Sequence, residues 1–150
     1  MDQEINQESA QDGMDMSLCV IDKQLGTIRF AGAQNSIYLV NNKQITEIKA
    51  DNLSIGGTIL SKKLNGSFVF TTKEVTYQEG SSLFMFTDGY MDQFGGEGSK
   101  KLNKSKFKDL LCNLASDNLK NAKERAEEYL LHWMGQNVQV DDILLIGARL

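Results

Sequence analysis

From Met16 onward, short apolar runs alternate with turn-forming residues, the pattern of strands joined by tight turns. Ser17-Leu18-Cys19-Val20-Ile21 and Thr27-Ile28-Arg29-Phe30 flank a turn running from Asp22 to Gly26 and predict a hairpin. Ile37-Tyr38-Leu39-Val40 and Gln44-Ile45-Thr46-Glu47-Ile48 predict a second one. Its turn is Asn41-Asn42, whose side chains tolerate the left-handed conformation. Together these four strands predict an antiparallel meander. Residues 68–77 alternate, with Val69, Val75 and Tyr77 on one side and Phe68, Phe70, Thr72, Glu74 and Thr76 on the other, which predicts a strand with unequal faces. After the turn at Glu79-Gly80, Leu83-Phe84-Met85-Phe86 is apolar on both faces and predicts a strand deep in the core.

The period then changes from two to about 3.6. Phe107, Leu110, Leu111 and Leu114 recur at helical spacing behind Ser105, a good N-cap residue. Leu119, Ala122, Ala126, Tyr129, Leu130 and Trp133 repeat the pattern behind Asn118. Gly135 predicts the end of the second helix, and Ile143 to Ile146 predict a final buried strand. The order of strands, helices and strand predicts an α+β domain over residues 13–150. Residues 1–12, rich in Gln, Glu, Ser and Asp, predict a flexible lead-in, because they offer too little apolar surface to order themselves.

With 150 residues and 41% hydrophobic content, the chain suffices for one core and is cramped for two. Its net charge of -4 offers no general attraction to nucleic acid or to anionic lipid. No run approaches the roughly 18–20 apolar residues of a membrane span, so the expectation is a soluble, cytoplasmic protein. Cys19 and Cys112 lie in apolar runs without a Cys-x-x-Cys pair and predict two buried thiols. His132 is the single histidine and falls in the second helix, which leaves little for a histidine-rich zinc site or a Ser-His-Asp triad. A metal bound here would rest on carboxylates.

Two segments place carboxylates at the ends of apolar strands: Phe86-Thr87-Asp88-Gly89-Tyr90 and Val140-Asp141-Asp142-Ile143. Burying an unpaired aspartate is costly, and convergence on a hard cation such as magnesium or manganese offsets that cost. Gly89 lets the chain turn sharply after Asp88. Spacing alone leaves the ordinary role open, in which Asp88 starts a turn or caps a helix and Asp141 and Asp142 simply precede a strand.

The segments Asp12-Gly13-Met14-Asp15-Met16-Ser17-Leu18-Cys19, Phe30-Ala31-Gly32-Ala33-Gln34-Asn35, Leu53-Ser54-Ile55-Gly56-Gly57, Phe86-Thr87-Asp88-Gly89-Tyr90-Met91-Asp92-Gln93-Phe94-Gly95-Gly96 and Val140-Asp141-Asp142-Ile143 occur in this order. Over residues 12–150 this series resembles the later part of the SpoIIE-type branch of the metal-dependent (type 2C) serine/threonine phosphatases. The resemblance implies an antiparallel β-sandwich with flanking helices, layered α-β-β-α, and present here in incomplete form. It also implies a two-metal Mg or Mn centre that hydrolyses phosphoserine and phosphothreonine in a regulatory protein by direct attack of metal-activated water, without a phosphoenzyme. By the same resemblance Asp88 and Asp141 are metal ligands, Asp142 is the second choice, and Gly89 lets the backbone pass close to the metal. The family's Asp-x-x-Gly-His-Gly segment, which supplies a further aspartate ligand and a backbone oxygen, has no counterpart in the sequence. Asp12 and Asp15 match family residues that are not ligands, so the resemblance implies an incomplete metal site.

That gap supports an alternative function, a non-catalytic interaction or self-association module whose exposed sheet face is covered by a partner or in a homodimer. Lys100, Lys101, Lys104, Lys106 and Lys108 form a basic cluster, read either as a solvated face or as a phosphate-docking surface. Ala31-Gly32-Ala33 and Ile55-Gly56-Gly57 are read as positions of close approach between strands and loops. Tyr129 and Trp133 are read as core.

Overall fold

The computed structural model describes residues 13–56 and 69–150. The lead-in over residues 1–12, Phe68 and Gly57 lie outside the described residues. Alternating residues build β1 (Met16–Asp22) and β2 (Thr27–Ala33), an antiparallel hairpin with Cys19 opposite Phe30. Its turn is held by the Asp22 carboxylate, which accepts the amides of Gln24 and Leu25 at 2.9 and 3.0 Å, and by Gly26 at φ 63°. β3 (Ile37–Asn41) and β4 (Gln44–Ile48) form the second hairpin. Its turn falls one residue later than predicted: Asn41 pairs with Gln44 in the ladder, and Asn42 and Lys43 take the left-handed positions, at φ 48° and 62°. A two-residue turn with both φ values positive matches the twist of its strands.

The predicted four-stranded meander does not form, because the two hairpins belong to different sheets. β1, β2 and β5 (Lys73–Thr76) make a three-stranded sheet in the order β1-β2-β5. β6 (Ser82–Phe86) and β9 (Leu145–Arg149) join the second hairpin in the order β4-β3-β6-β9. The chain crosses between sheets at Gln34, whose φ of 61° turns it out of β2, and the amide of Asn35 closes a tight turn on the carbonyl of Ala33. The strand predicted over residues 68–77 is shorter: among the described residues it forms only over Lys73–Thr76, with Val75 half-buried and Glu74 and Thr76 exposed, while Val69 lies before it and is 87% exposed.

β6 explains the layering. Leu83 packs with Ile28, Phe30, Ile37 and Ile48 between the two sheets, while Phe84 and Phe86 face the opposite way, against helices. These helices are α2 (Asn103–Ser116) and α3 (Ala122–Met134), after the single turn α1 (Gly89–Asp92) and the small ribbon of β7 (Phe94–Gly95) and β8 (Lys100–Lys101). Phe107 of α2 is fully buried, edge-on to Phe86 at 4.9 Å and 5.1 Å from the Tyr90 ring. Burial of this one ring contributes roughly 1.5–3 kcal/mol. The described residues therefore stack as sheet, sheet and helices.

Both helix starts differ from expectation. Asn103, not Ser105, closes the first turn of α2: its side-chain oxygen accepts the amides of Ser105 and Lys106 at 3.0 and 3.2 Å. Asn118, Leu119 and Asn121 all have positive φ, so α3 begins at Ala122 and Leu119 belongs to the loop. Gly135 ends α3 as predicted, at φ 55° and with its amide on the carbonyl of Leu131. The last strand is not buried. β9 lies at the sheet edge, where Leu145 faces the helices while Leu144 and Ile146, pointing the other way, join neither core cluster and are 52% and 47% exposed.

Candidate active-site cleft

The two aspartate segments meet at one end of the four-stranded sheet. β6 and β9 pair as far as Phe86 opposite Leu145, and Thr87 extends the contact. Its amide donates to the carbonyl of Leu144 at 3.1 Å, its hydroxyl donates to the carbonyl of Asp142 at 2.7 Å, and it accepts the amide of Leu144 at 2.9 Å. On the other side of Asp88, a Cβ built on Gly89 would lie 2.5 Å from the Asp142 carbonyl oxygen. Asp88 is thus bracketed by two residues that both touch Asp142. The value of Gly89 here is its lack of a side chain facing another backbone.

Asp88 stands at the start of α1, where its backbone carbonyl accepts the amides of Met91 and Asp92, yet its carboxylate makes no capping bond. The side chain is exposed and faces a cleft of about 290 Å³. Asp141 and Asp142 are exposed too. The Asp141 carboxylate accepts the amide of Asp142 at 2.7 Å, and Gln139 donates to the Asp141 carbonyl at 2.7 Å. Asp15 lines the same cleft as Asp88 and accepts the hydroxyl of Ser54 at 2.5 Å. Asp12 lies outside the described residues.

Gln93, which lies behind this end of the sheet, and Glu47, which lines the cleft, were not singled out from sequence. Gln93 is fully buried. Its amide nitrogen donates to the carbonyls of Val138 at 2.9 Å and Phe94 at 3.2 Å, and its oxygen accepts the amide of Val140 at 3.4 Å, so it anchors the approach to Asp141. Trp133, read as core, donates its indole N–H to the carbonyl of Gln93 at 3.0 Å. The visible signal was a polar residue inside the string Met91-Asp92-Gln93-Phe94, where an apolar one was equally available. On the opposite wall Glu47 accepts Lys104 at 2.8 Å and Lys108 at 3.4 Å, and both ammonium groups sit over the Tyr38 ring, at 5.9 and 5.0 Å. Burial pushes the Glu47 carboxyl up, but the hydrogen bond and charge of Lys104, helped by Lys108, hold it below its ordinary value. The same partner raises Lys104.

The other candidates fall elsewhere. His132 is exposed on α3, beside Arg125 and Tyr129. Cys19 and Cys112 are free and half-buried rather than buried, and desolvation raises both thiols. Gly32 is a close approach, since a Cβ there would meet the Asn35 carbonyl at 2.8 Å. Gly56 has open space around it, and its φ of 81° is what calls for glycine. A larger groove of about 560 Å³ between α3 and β9 is lined mainly by apolar side chains and contains none of the aspartates.

The candidate ligands, the carboxylates of Asp88, Asp141 and Asp142, offer oxygens, which suits a hard cation, and magnesium is commonly held by one or two carboxylates plus water. Among the described residues, however, no group of three or more His, Cys, Asp or Glu side chains gathers to hold a metal. The carboxylates fit a divalent ion in kind and would supply only part of its shell. No helix of the described residues is long and apolar enough to cross a membrane.

A sheet-on-sheet sandwich with helices outside matches the fold of type 2C phosphatase domains. The chain is 28% identical to the SiaA-PP2C domain of Pseudomonas aeruginosa, with a TM-score of 0.79 over 91% of this chain and 51% of that one. It is 18% identical to the SpoIIE PP2C phosphatase domain with a fragment of its regulatory domain from Bacillus subtilis, at a TM-score of 0.70 over 91% of this chain and 37% of that one. RsbX in complex with magnesium matches at 18% identity and a TM-score of 0.53, over 90% of this chain and 55% of RsbX. The two matches below 25% identity show the fold alone. No curated protein sequence matches the chain. The family described as Stage II sporulation protein E (SpoIIE) matches residues 1–150, and the chain belongs to that family. It spans about half the length, or less, of the first of these structures.

Proposed function

We propose that this chain takes part in hydrolysing phosphoserine and phosphothreonine in a regulatory protein, and that Asp88 and Asp141 are its metal-holding carboxylates. The observation that carries this reading is the lock between Thr87, Gly89 and Asp142, which brings two acidic segments, 53 positions apart from Asp88 to Asp141 in the sequence, to one sheet end. Mg or Mn would be held by Asp88 and Asp141, with Asp142 as the alternative, and by water, substrate oxygens or donors outside the described residues. A bound divalent ion would neutralise charge on the phosphoryl oxygens and lower the pKa of water. The chain's own contribution is positional: Gln93 and Thr87 fix the Asp141–Asp142 backbone, and the carboxylate of Asp88, free of a capping bond, faces the cleft.

The test is manganese-dependent hydrolysis of a chromogenic phosphate monoester, together with the melting temperature with and without manganese, for wild type, Asp88→Asn and Asp141→Asn. Loss of an outer-shell partner of a metal already costs roughly 10–100-fold, so each variant should lose at least that much activity. At a hundred times its dissociation constant the ion should stabilise wild type by about 2.7 kcal/mol, and neither variant by as much. Equal manganese stabilisation of all three proteins would exclude these carboxylates as ligands.

One observation favours a second reading, self-association. Met16, Leu18 and Val20 of β1 are 39%, 57% and 47% exposed along one face. A dimer by light scattering, without manganese stabilisation, would replace the first reading with this one.

A further inference from the structure

The lysine cluster of residues 100–108 is not absorbed by the site described above. Residues 100–108 hold five lysines and no acidic residue, whereas the rest of the chain has 11 basic residues (16 less these five) against 20 acidic ones. A strongly positive strip on an otherwise negative chain is a localised attraction, and at about 0.1 M salt its reach is about 10 Å.

The strip is also built rather than loosely solvated. Lys101 bonds Asp92 at 2.8 Å, Lys106 lies 4.0 Å from the centroid of the Trp133 ring, and Lys104 and Lys108 share the single carboxylate of Glu47. Among the described residues two carboxylates pair with three of these five ammonium groups, so the cluster is not neutralised by them. Lys104 lines the same cleft as Asp88, which places part of the strip at the candidate site.

We propose that this strip docks an acidic segment of the phosphorylated protein, adjacent to the phosphoryl group presented to the cleft. The proposal deepens the phosphatase reading and rests on it for the identity of the cleft. The strip is confined to nine residues of a chain that is otherwise net negative, which suits a short anionic peptide better than an extended polyanion.

Fluorescence anisotropy tests it with the full chain and a fluorescein-labelled peptide carrying glutamates around one phosphoserine. A second peptide has glutamine in place of glutamate. The glutamate peptide should bind more tightly, and the difference should shrink as salt is raised. Lys104→Gln and Lys108→Gln should each weaken binding about threefold, the scale of one exposed charge contact. Glu47→Gln removes the carboxylate that occupies two lysines and should tighten binding about twofold to threefold, a gain that structural damage would not produce. Hydrolysis of the chromogenic ester, which has no acidic flank, reports separately on the phosphatase reading. Ester hydrolysis without preference for the glutamate peptide overturns the docking proposal and leaves that reading standing. Lysine-dependent binding without ester hydrolysis does the reverse. Tighter binding to phosphatidylserine vesicles or to a single-stranded oligonucleotide than to the peptide also overturns it.

Discussion

Replacing Gly89 with alanine puts the lock between the two aspartate segments under direct strain. The new Cβ would sit 2.5 Å from the Asp142 carbonyl oxygen and 3.0 Å from its carbon, against an ordinary contact of at least 3.4 Å. The backbones must part by about 0.9 Å, the difference between 3.4 and 2.5 Å. Both obstructing atoms are backbone, so no rotamer change can relieve them. The retreat also stretches the three hydrogen bonds of Thr87, at 2.7, 2.9 and 3.1 Å. Overpacking of this kind costs about 1–3 kcal/mol, and alanine returns about 0.4–1 kcal/mol through the entropy of the unfolded chain. A net loss of about 1–2 kcal/mol corresponds to about 2–8 °C in melting temperature for a domain of this size. Urea and thermal unfolding of wild type, Gly89→Ala and Gly147→Ala measure it. The third protein is the control, since a Cβ at Gly147 meets only side chains, Phe84 at 3.1 Å and Leu119 at 3.4 Å, which can yield by tenths of an ångström. Equal stability of the two variants would refute the close approach, and with it the argument that Asp88 and Asp142 are held in fixed register. If the approach is real, any activity should fall by roughly a hundredfold, the scale of a 1 Å misplacement.

Gln93→Leu keeps the size of a fully buried side chain but leaves the carbonyls of Val138 and Phe94 and the amide of Val140 without this partner. A loss of about 2 kcal/mol or more is expected, with hydrogen exchange accelerated at residues 138–142; unchanged exchange there would count against an anchoring role. Glu47 is held below its ordinary carboxyl value of 4.5 by Lys104 and Lys108 against the effect of burial. A carboxylate depressed in the folded state stabilises above its unfolded pKa, and that stability is lost as pH falls through the folded value. The urea midpoint, followed from about pH 6 to about pH 3, should therefore decline less steeply in Glu47→Gln than in wild type.

The local elements were readable because each depends on neighbours within a few positions. The apolar run Ile37-Tyr38-Leu39-Val40 marks a strand packed on both faces, with Tyr38 and Val40 toward the helices and Ile37 and Leu39 between the sheets, and the helical recurrence of Phe107, Leu110, Leu111 and Leu114 marks one buried face. Helix starts were read less well, because Asn103 and Ser105 are both competent caps and only the path of the preceding chain chooses between them. The assignment of strands to sheets was not readable at all. Each hairpin is set by its own turn and apolar runs, and nothing within either one says whether the other shares its sheet.

The candidate site divides along the same line. Acidic residues at the ends of apolar strands, and a glycine following one of them, are read directly from the order of residues. That Asp142 lies against Gly89, that Gln93 anchors the turn before Asp141, and that one glutamate of β4 holds two lysines of α2 were decided by tertiary structure alone. Each of these contacts joins positions tens of residues apart, brought together by strand pairing and by the packing of helix on sheet, which no window of sequence contains.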